Sequence, residues 1–190
     1  IQFVINRTNS ITNEKYTNDT TIMAWEVANE PRIFTKENEK AFTIWLNDVI
    51  DYMDSLDKNH LITTGSEGKA GSNDDLAAFK RTHTNKNIDY VTMHIWPKNW
   101  GWYKMEDEKG STPIAIQKTI EYIDEHITVA KELNRPIVLE EFGYPRNQES
   151  LDRNASSEFR NQFYNAIFKR LDDAITNNEP FVALNFWGYA

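Results

Sequence analysis

Residues 21–32 read TIMAWEVANEPR, an apolar run rich in strand-forming residues that ends in a polar Asn-Glu-Pro-Arg segment. The run at 21–27 predicts a short strand, because Ile, Val, Trp and Thr are favoured in strands. Residues 35–56 then repeat apolar side chains at steps of three and four, which predicts an amphipathic helix capped by Thr35. A strand followed directly by such a helix is typical of a β/α unit.

The same alternation continues to the end of the chain. Further strands are predicted at 61–64, 88–93, 137–142 and 181–187, and further helices at 74–80, from Ser111 or Thr112 to Ala130 with Pro113 in the first helical position, and at 157–175. This order predicts an α/β fold with a parallel sheet and helices outside it. An open sheet covered on both sides and a closed barrel fit the pattern equally well.

Composition narrows the possible partners. The 190 residues carry a formal net charge of −8, so phosphate backbones and anionic lipid surfaces are repelled, and we expect neither nucleic acid nor a membrane as partner. The chain has no cysteine, which excludes disulfides and thiol catalysis. The four histidines show no close ligand spacing and no glycine loop for phosphate is present, so we expect neither a metal nor a cofactor.

Two carboxylates follow the ends of different predicted strands, where parallel α/β folds collect their chemistry. Glu30 follows the first strand, and Glu141 lies at the end of the fourth. Glycoside hydrolysis needs such a pair, because one carboxyl group must donate a proton to the leaving oxygen while the other is ionised. Alternatively, each carboxylate only caps a helix or pairs with Arg32 or Arg146.

Aromatic side chains favour the catalytic interpretation of the two carboxylates. Four tryptophans fall at strand ends or in the loop after the third strand, namely Trp96, Trp100, Trp102 and Trp187. Indole rings stack on the flat C–H faces of sugars, although the loop after the third strand could equally be an apolar plug over the sheet. Trp25 and Trp45 lie inside predicted elements and are expected in the core.

Three stretches resemble glycoside hydrolase family 5, and most closely its endo-β-1,4-mannanase branch. Residues 19–32 resemble the family's fourth strand with its Asn-Glu-Pro signature, HIWPKNWGW at 94–102 resembles the sixth strand and its loop, and VLEEFG at 138–143 resembles the seventh. The resemblance implies a (β/α)8 TIM barrel. The chain would cover about strands four to eight, as one partial catalytic domain over residues 1–190.

The resemblance also implies a retaining mechanism and assigns the site residues. Glu30 would be the acid/base and Glu141 the nucleophile, whereas strand alternation turns the neighbouring Glu140 to the other face. The implied substrate-binding residues are Asn29 at the sugar 2-hydroxyl, Arg32 on the leaving-group side, His94 beside the carboxylates, Trp96 where many members have Tyr, Trp100 in the adjoining loop, and Trp187 as the floor of the subsite for the attacked sugar.

The expected activity is hydrolysis of internal β-1,4-mannosidic bonds of mannan, galactomannan or glucomannan. A β-glucanase on the same fold and a catalytically incomplete glycan-binding fragment remain alternatives. The family's first three strands have no counterpart in these 190 residues, so we expect an N-terminal segment of the same catalytic domain as a further partner. A polysaccharide substrate also implies export, with the enzyme secreted, at the cell surface or in the periplasm.

Overall fold

The computed structural model describes residues 1–187, and the chain divides into two compact units, Ile1–Thr92 and Met93 onward. The first unit contains strands β1 (Ala24–Glu26) and β2 (Leu61–Thr63) and helices α1 (Gln2–Ile5), α2 (Glu39–Leu56) and α3 (Leu76–Thr82). Strand β3 (Val91–Ile95) begins at the end of the first unit, and the second contains α4 (Glu108–Leu133), β4 (Ile137–Phe142), α5 (Glu158–Thr176) and β5 (Phe181–Leu184).

The first unit is built on a parallel pair of strands. β1 and β2 run parallel, with Trp25 opposite Ile62. Helix α2 buries Leu46 and Met53, which belong to the predicted apolar pattern, and it also buries Ile50. The prediction for Trp45 is wrong, because this side chain is 43% exposed and lies beside the ring of Phe42. The predicted cap Thr35 instead precedes a short 3-10 turn and makes no side-chain capping bond.

The second unit contains the larger sheet. Among the described residues β3, β4 and β5 form a three-stranded sheet in that order, and β4 and β5 are parallel. The register of β4 against β5 is irregular between Ile137 and Val138. β5 ends at Leu184, three residues before the predicted end of the strand. The predicted alternation of parallel strands and helices is therefore confirmed within each unit.

Helix α4 begins earlier than the sequence predicts. Its N-cap is Asp107, whose carboxylate accepts the Gly110 N–H at 3.0 Å. Ser111, a predicted cap, instead bonds the backbone of Lys104 through its hydroxyl. Pro113 therefore lies within the helix rather than at its first position. A stronger cap upstream explains the difference, since a carboxylate also interacts favourably with the positive end of the helix dipole.

None of the helices within residues 1–187 combines the length and the apolar character that a bilayer crossing requires.

Candidate active site

The segment that carries Glu30 leaves β1 in an unusual conformation. Glu30 has a φ of 49°, in the left-handed region that side chains other than glycine rarely adopt. It also precedes Pro31, a position that favours extended backbone. Such a conformation costs roughly 1–3 kcal/mol and persists only where the surroundings impose it. Residues held in this way cluster at functional sites, so the backbone of Glu30 supports its selection as a candidate.

Two backbone hydrogen bonds hold this segment against the loop that follows β2. The Glu30 N–H donates to the Gly65 carbonyl at 2.9 Å, and the Ile33 N–H donates to the Gly71 carbonyl at 3.0 Å. Three residues before Glu30, the Val27 N–H still donates to the Thr63 carbonyl in the regular pattern of the strand pair. The Glu30 turn is therefore a continuation of the β1–β2 pairing that bends away from the strand.

Arg32 joins Glu30 to a buried carboxylate. Its guanidinium lies 3.3 Å from Glu30 Oε2 and makes two contacts with Glu67, at 2.8 and 2.9 Å. Glu67 is only 2% exposed, whereas the Arg32 side chain is 45% exposed. The two-pronged contact fixes the plane of the guanidinium, which a single contact could not do. The alternative pairing of Glu30 with Arg32 is therefore real, and it is compatible with a catalytic carboxylate.

Sequence reasoning missed Glu67 as a site residue. It follows β2 in the segment Thr64–Gly68, where a lone carboxylate between glycine-rich turns is typical of an exposed loop. Glu67 is buried because the segment after β1 places Arg32 against it. A signal was available in the position alone, since Glu67 lies just beyond the end of a parallel strand. Asn29, the neighbour of Glu30, has an exposed side chain.

In the second unit, Glu141 lies against a buried histidine. Glu141 is 8% exposed and His94 on β3 is 1% exposed, and Glu141 Oε2 lies 3.5 Å from His94 Nδ1. Glu140 Oε2 lies 3.7 Å from the other ring nitrogen, Nε2. Glu140, which strand alternation is predicted to turn to the other face, thus still has its carboxylate close to the imidazole. His94 is therefore flanked by two carboxylates, one beside each ring nitrogen.

Trp96 lies over the turn that follows Glu141 and Phe142. A side-chain carbon added at Gly143 would come within 2.8 Å of the edge of the Trp96 indole. Glycine at this position therefore leaves the space that the indole occupies. The VLEEFG stretch thus ends in glycine for a packing reason, and the indole of Trp96 is held beside the end of the strand that carries Glu141.

Trp187 is held by a backbone hydrogen bond, and its indole ring is exposed to solvent. Its N–H donates to the Phe142 carbonyl at 2.9 Å, directly after Glu141, and its side chain is 59% exposed. An exposed indole anchored beside a buried carboxylate is a suitable platform for a sugar ring. Arg146, the alternative partner for a carboxylate, donates instead to the Ala155 carbonyl.

Trp100 has a different environment from Trp187. Its ring centroid lies 4.9 Å from that of Trp102 and 5.2 Å from that of Tyr122, a buried residue of α4. Lys118 adds a cation over the Trp102 ring, 5.7 Å from its centroid. These contacts favour the plug interpretation for Trp102 and for one face of Trp100. Trp100 is half-buried, and its role as a substrate-binding residue stays a prediction.

A buried carboxylate ties the loop after β3 to the loop after β4. Glu108 accepts the Tyr103 hydroxyl at 2.9 Å, and it also accepts the backbone N–H and the side-chain amide of Gln148, at 2.7 and 2.9 Å. Burial and the bond to Glu108 raise the pKa of the Tyr103 hydroxyl above its ordinary value, so it remains a donor. Lys98 and Glu149 join the same two loops at the surface.

The predicted site residues thus fall into two groups, one in each unit. In the first unit the structure brings Glu30 and Arg32 together, next to Asn29 in the chain. In the second it brings His94 and Glu141 together and places Trp96 and Trp187 at the turn after Glu141. Their individual roles stay predictions.

Comparisons with known proteins agree on the family. The family model described as GH family 5 beta-mannosidase-like matches residues 1–190. A mannan endo-1,4-beta-mannosidase 5 of Arabidopsis thaliana is 27% identical over 184 residues, covering 89% of this chain and 41% of that protein.

Solved structures match nearly the whole chain. A glycoside hydrolase family 5 mannosidase from Rhizomucor miehei superposes with a TM-score of 0.86 at 29% identity, covering 99% of this chain and 44% of that one. A mutant of that mannosidase in complex with mannosyl-fructose matches with a TM-score of 0.84 at 29% identity, over the same 99% and 44%. An endo-1,4-beta-D-mannanase from Thermotoga petrophila gives 0.76 at 27% identity, covering 100% and 53%.

The chain matches only part of each of these proteins. The chain spans about two fifths to half of the length of the relatives and structures it matches. Its parallel strands and intervening helices correspond to part of the (β/α)8 barrel of these enzymes. The predicted fold class is therefore confirmed, and the chain belongs to glycoside hydrolase family 5, in its β-mannosidase-like group.

Proposed function

We propose that the catalytic domain containing this chain is a retaining β-mannan hydrolase that cleaves internal β-1,4-mannosidic bonds. One observation carries the proposal. The two candidate carboxylates lie at the carboxyl ends of different strands, Glu30 in the segment after β1 and Glu141 at the last residue but one of β4, and each has a cationic or cation-forming partner of its own, Arg32 for Glu30 and His94 for Glu141. The names of the relatives supply the substrate class.

The environments of the two carboxylates suit different roles. Glu141 is buried against His94, and a positive charge on this imidazole would favour the ionised carboxylate that a nucleophile requires. The Glu30 side chain is 22% exposed, which allows it to exchange protons with substrate and water. Glu30 would donate a proton to the glycosidic oxygen while Glu141 attacks the anomeric carbon. Water would then release the sugar from Glu141, with Glu30 accepting the proton of that water.

The remaining predicted residues would bind the polymer. The exposed indole of Trp187 offers a stacking surface next to Glu141, and Trp96 packs at the same turn. Asn29 is exposed beside Glu30 and has both a donor and an acceptor for a sugar hydroxyl. Arg32 presents the half of its guanidinium that Glu67 does not occupy, on the leaving-group side.

A second candidate is an exo-acting β-mannosidase. It is favoured by the description of the matching family and by the Rhizomucor miehei mannosidase, whose mutant was solved with mannosyl-fructose. The chemistry at the two carboxylates would be the same. Only the extent of the groove beyond the attacked sugar would differ, so product length separates the two candidates.

Two further proposals concern the context of the chain. The site would be completed by additional β/α repeats of the same catalytic domain, since the chain spans 44% of the Rhizomucor miehei mannosidase. The enzyme would act outside the cell or in the periplasm, because a mannan polymer does not cross a membrane. Detection of the protein in culture medium, at the cell surface or in a periplasmic extract tests the second of these.

The experiment is sugar release from mannohexaose by this chain, with Glu141→Gln and Glu140→Gln as a matched pair of adjacent variants. We expect products of mixed length that vanish in Glu141→Gln and persist in Glu140→Gln. Mannose as the sole first product would support the exo-acting candidate instead. Equal turnover in Glu141→Gln and the unaltered chain would contradict the proposal.

Two additions extend the experiment. Cellohexaose is used as a second substrate, and the chain is also tested joined to the N-terminal repeats of the Rhizomucor miehei mannosidase. Faster cleavage of cellohexaose would indicate a β-glucanase. Binding of mannohexaose without cleavage in either form, unchanged in Glu30→Gln, would indicate a glycan-binding protein. Cleavage only in the joined form would support the need for further repeats.

A further inference from the structure

We propose that Gly65 is a positioning residue for Glu30. The absence of a side chain at Gly65 lets the segment with Glu30 pass close by, and the Gly65 carbonyl oxygen holds that segment by a hydrogen bond. This inference rests on the acid/base role proposed for Glu30. Gly65 lies just beyond the end of β2, and its carbonyl accepts the Glu30 N–H at 2.9 Å.

Gly65 has no room for a side chain. A Cβ at this position would lie 2.1 Å from the Ala28 carbonyl oxygen and 2.3 Å from Glu26 Oε1. The first contact is with backbone, so a change of rotamer cannot relieve it. Gly65 also has a φ of 71°, which glycine adopts without penalty and alanine does not. Only glycine therefore allows the chain from β1 to pass this close before it turns at Glu30.

The β2 side of this contact is firmly held. Thr63 donates its hydroxyl to the Tyr90 carbonyl at 2.9 Å, and a hydrogen bond of 3.0 Å joins the Thr64 hydroxyl to His83. The Ser66 carbonyl accepts the Thr92 hydroxyl at 2.9 Å. All three bonds are buried, so the strand end that carries Gly65 is fixed on both sides of the glycine.

The β1 side of the contact is less firmly held. Ala28 and Glu30 are partly exposed, and Asn29 is exposed. A side chain at position 65 would therefore displace Ala28–Glu30 rather than the buried end of β2. The Glu30 carboxyl group would move with its backbone, and displacements of about 1 Å in a catalytic group can lower turnover by about 100-fold.

The chain offers two matched controls for Gly65→Ala. Gly101 has a φ of 69°, nearly that of Gly65, but a Cβ there would meet nothing within 4 Å. Gly101→Ala thus introduces the same backbone strain without the collision. Gly71 belongs to the same loop and accepts the Ile33 N–H, but its Cβ would be 3.4 Å from the Pro31 carbonyl, a tolerable contact. Gly71→Ala thus shows the effect of adding a methyl group to this loop where no collision results.

The experiment measures amide hydrogen exchange at Glu30 in the unaltered chain and the three variants. In Gly65→Ala we expect the Glu30 amide to exchange about tenfold faster or more, because its hydrogen bond is lost. We expect both controls to exchange at the rate of the unaltered chain. Unchanged exchange at Glu30 in folded Gly65→Ala would overturn the proposal.

Gly65→Asn covers the case in which Gly65→Ala does not fold. Asn tolerates a positive φ but still places a Cβ against Ala28, so it keeps the collision and reduces the strain. We expect the same faster exchange at Glu30, and exchange at the unaltered rate would again overturn the proposal.

An activity measurement separates this proposal from the proposed function. Where mannan is hydrolysed, Gly65→Ala should lower kcat by about 100-fold with little change in KM and should alter the pH profile of kcat. Loss of substrate affinity with unchanged kcat and pH profile would overturn the positioning role. Absence of hydrolysis by the unaltered protein contradicts the proposed function alone, because the exchange measurement does not depend on turnover.

Discussion

The two candidate carboxylates are supported in different ways. Glu30 lies on a strained turn that leaves its strand, and backbone bonds to Gly65 and Gly71 hold that turn. Glu141 lies inside the regular strand β4, between the completely buried Leu139 and Phe142. The first carboxylate depends on polar and backbone contacts, and the second depends on apolar packing.

This difference matches the chemistry proposed for each group. A nucleophile attacks one carbon atom from one direction, so a rigid strand and a buried setting suit Glu141. An acid/base exchanges protons with water in each cycle, so a partly exposed turn suits Glu30. We therefore expect substitutions near Glu141 to act mainly through lost apolar packing, and substitutions near Glu30 to act mainly through lost hydrogen bonds and ion pairs.

The largest effect on stability is expected from Phe142→Ala in the apolar region. Phe142 is completely buried and packs its ring 5.2 Å from that of Tyr164 on α5. Its removal should lower the free energy of unfolding by about 3–5 kcal/mol, measured by urea denaturation. Pro31→Ala in the polar region should cost less than about 1 kcal/mol. Similar costs for the two variants would contradict the idea that apolar packing supports Glu141 more than it supports Glu30.

A smaller effect is expected from Glu67→Gln, which removes the buried charge that holds Arg32. We expect a loss of about 1–3 kcal/mol in the free energy of unfolding, because the buried Glu67 side chain loses its charge-assisted contacts with the Arg32 guanidinium. Glu39→Gln is the matched control, since Glu39 makes the same two-pronged contact with an exposed Arg81. The control should cost less than about 1 kcal/mol. Equal stability of the Glu67 and Glu39 variants would show that burial of Glu67 does not strengthen its contact with Arg32.

The elements of the fold were predictable from the sequence because their signals are local. Periodic apolar residues predicted α2 and α5, and strand-forming runs at the expected spacing predicted the parallel strands. Trp45 is the exception in α2. Its place in the apolar pattern predicts burial, but the helix buries Leu46 and Ile50 instead, and periodicity alone does not decide which edge of an apolar face is covered.

The supports of the candidate site were less predictable because they depend on contacts distant in sequence. Gly65 is separated from Glu30 by the whole of α2, and nothing near position 65 indicates that a carbonyl will pass within collision distance. Glu67 resembles a surface residue until Arg32 is placed over it. The candidate carboxylates themselves were found because the ends of parallel strands are special positions in such folds.

The smallest expected effect concerns the pH dependence of the first unit. His60 lies between the Asp57 carboxylate, 2.7 Å from Nδ1, and the Asp19 carbonyl, 3.0 Å from Nε2, while the Trp25 indole also donates to Asp57. Burial opposes charge on His60, but the bonds to Asp57 and Asp19 raise its pKa overall. Burial likewise opposes charge on Asp57, but bonds from Trp25, His60 and the backbone lower its pKa overall.

The sign of the effect follows from these directions. The raised pKa of His60 adds stability that is complete below its unfolded value of about 6.5 and is lost as pH rises through the folded value. The lowered pKa of Asp57 adds stability above about pH 3.9 that is lost in acid. Urea midpoints should therefore show a larger deficit for His60→Gln near about pH 6 than in alkaline solution. A deficit that grows with pH would contradict this account of the polar support.

The division of roles between Glu141 and Glu30 is tested most directly by trapping the glycosyl-enzyme. The form of the protein that hydrolyses mannan is incubated with a 2-fluoro-mannosyl fluoride, which forms the covalent intermediate but slows its release, and the labelled peptide is identified by mass spectrometry. We expect one fluoromannosyl group on Glu141 and no label in Glu141→Gln. In Glu30→Gln we expect slower labelling by a reagent whose leaving group is not activated. A label on Glu30 or Glu140, or hydrolysis of mannan without any label, would contradict the proposed roles.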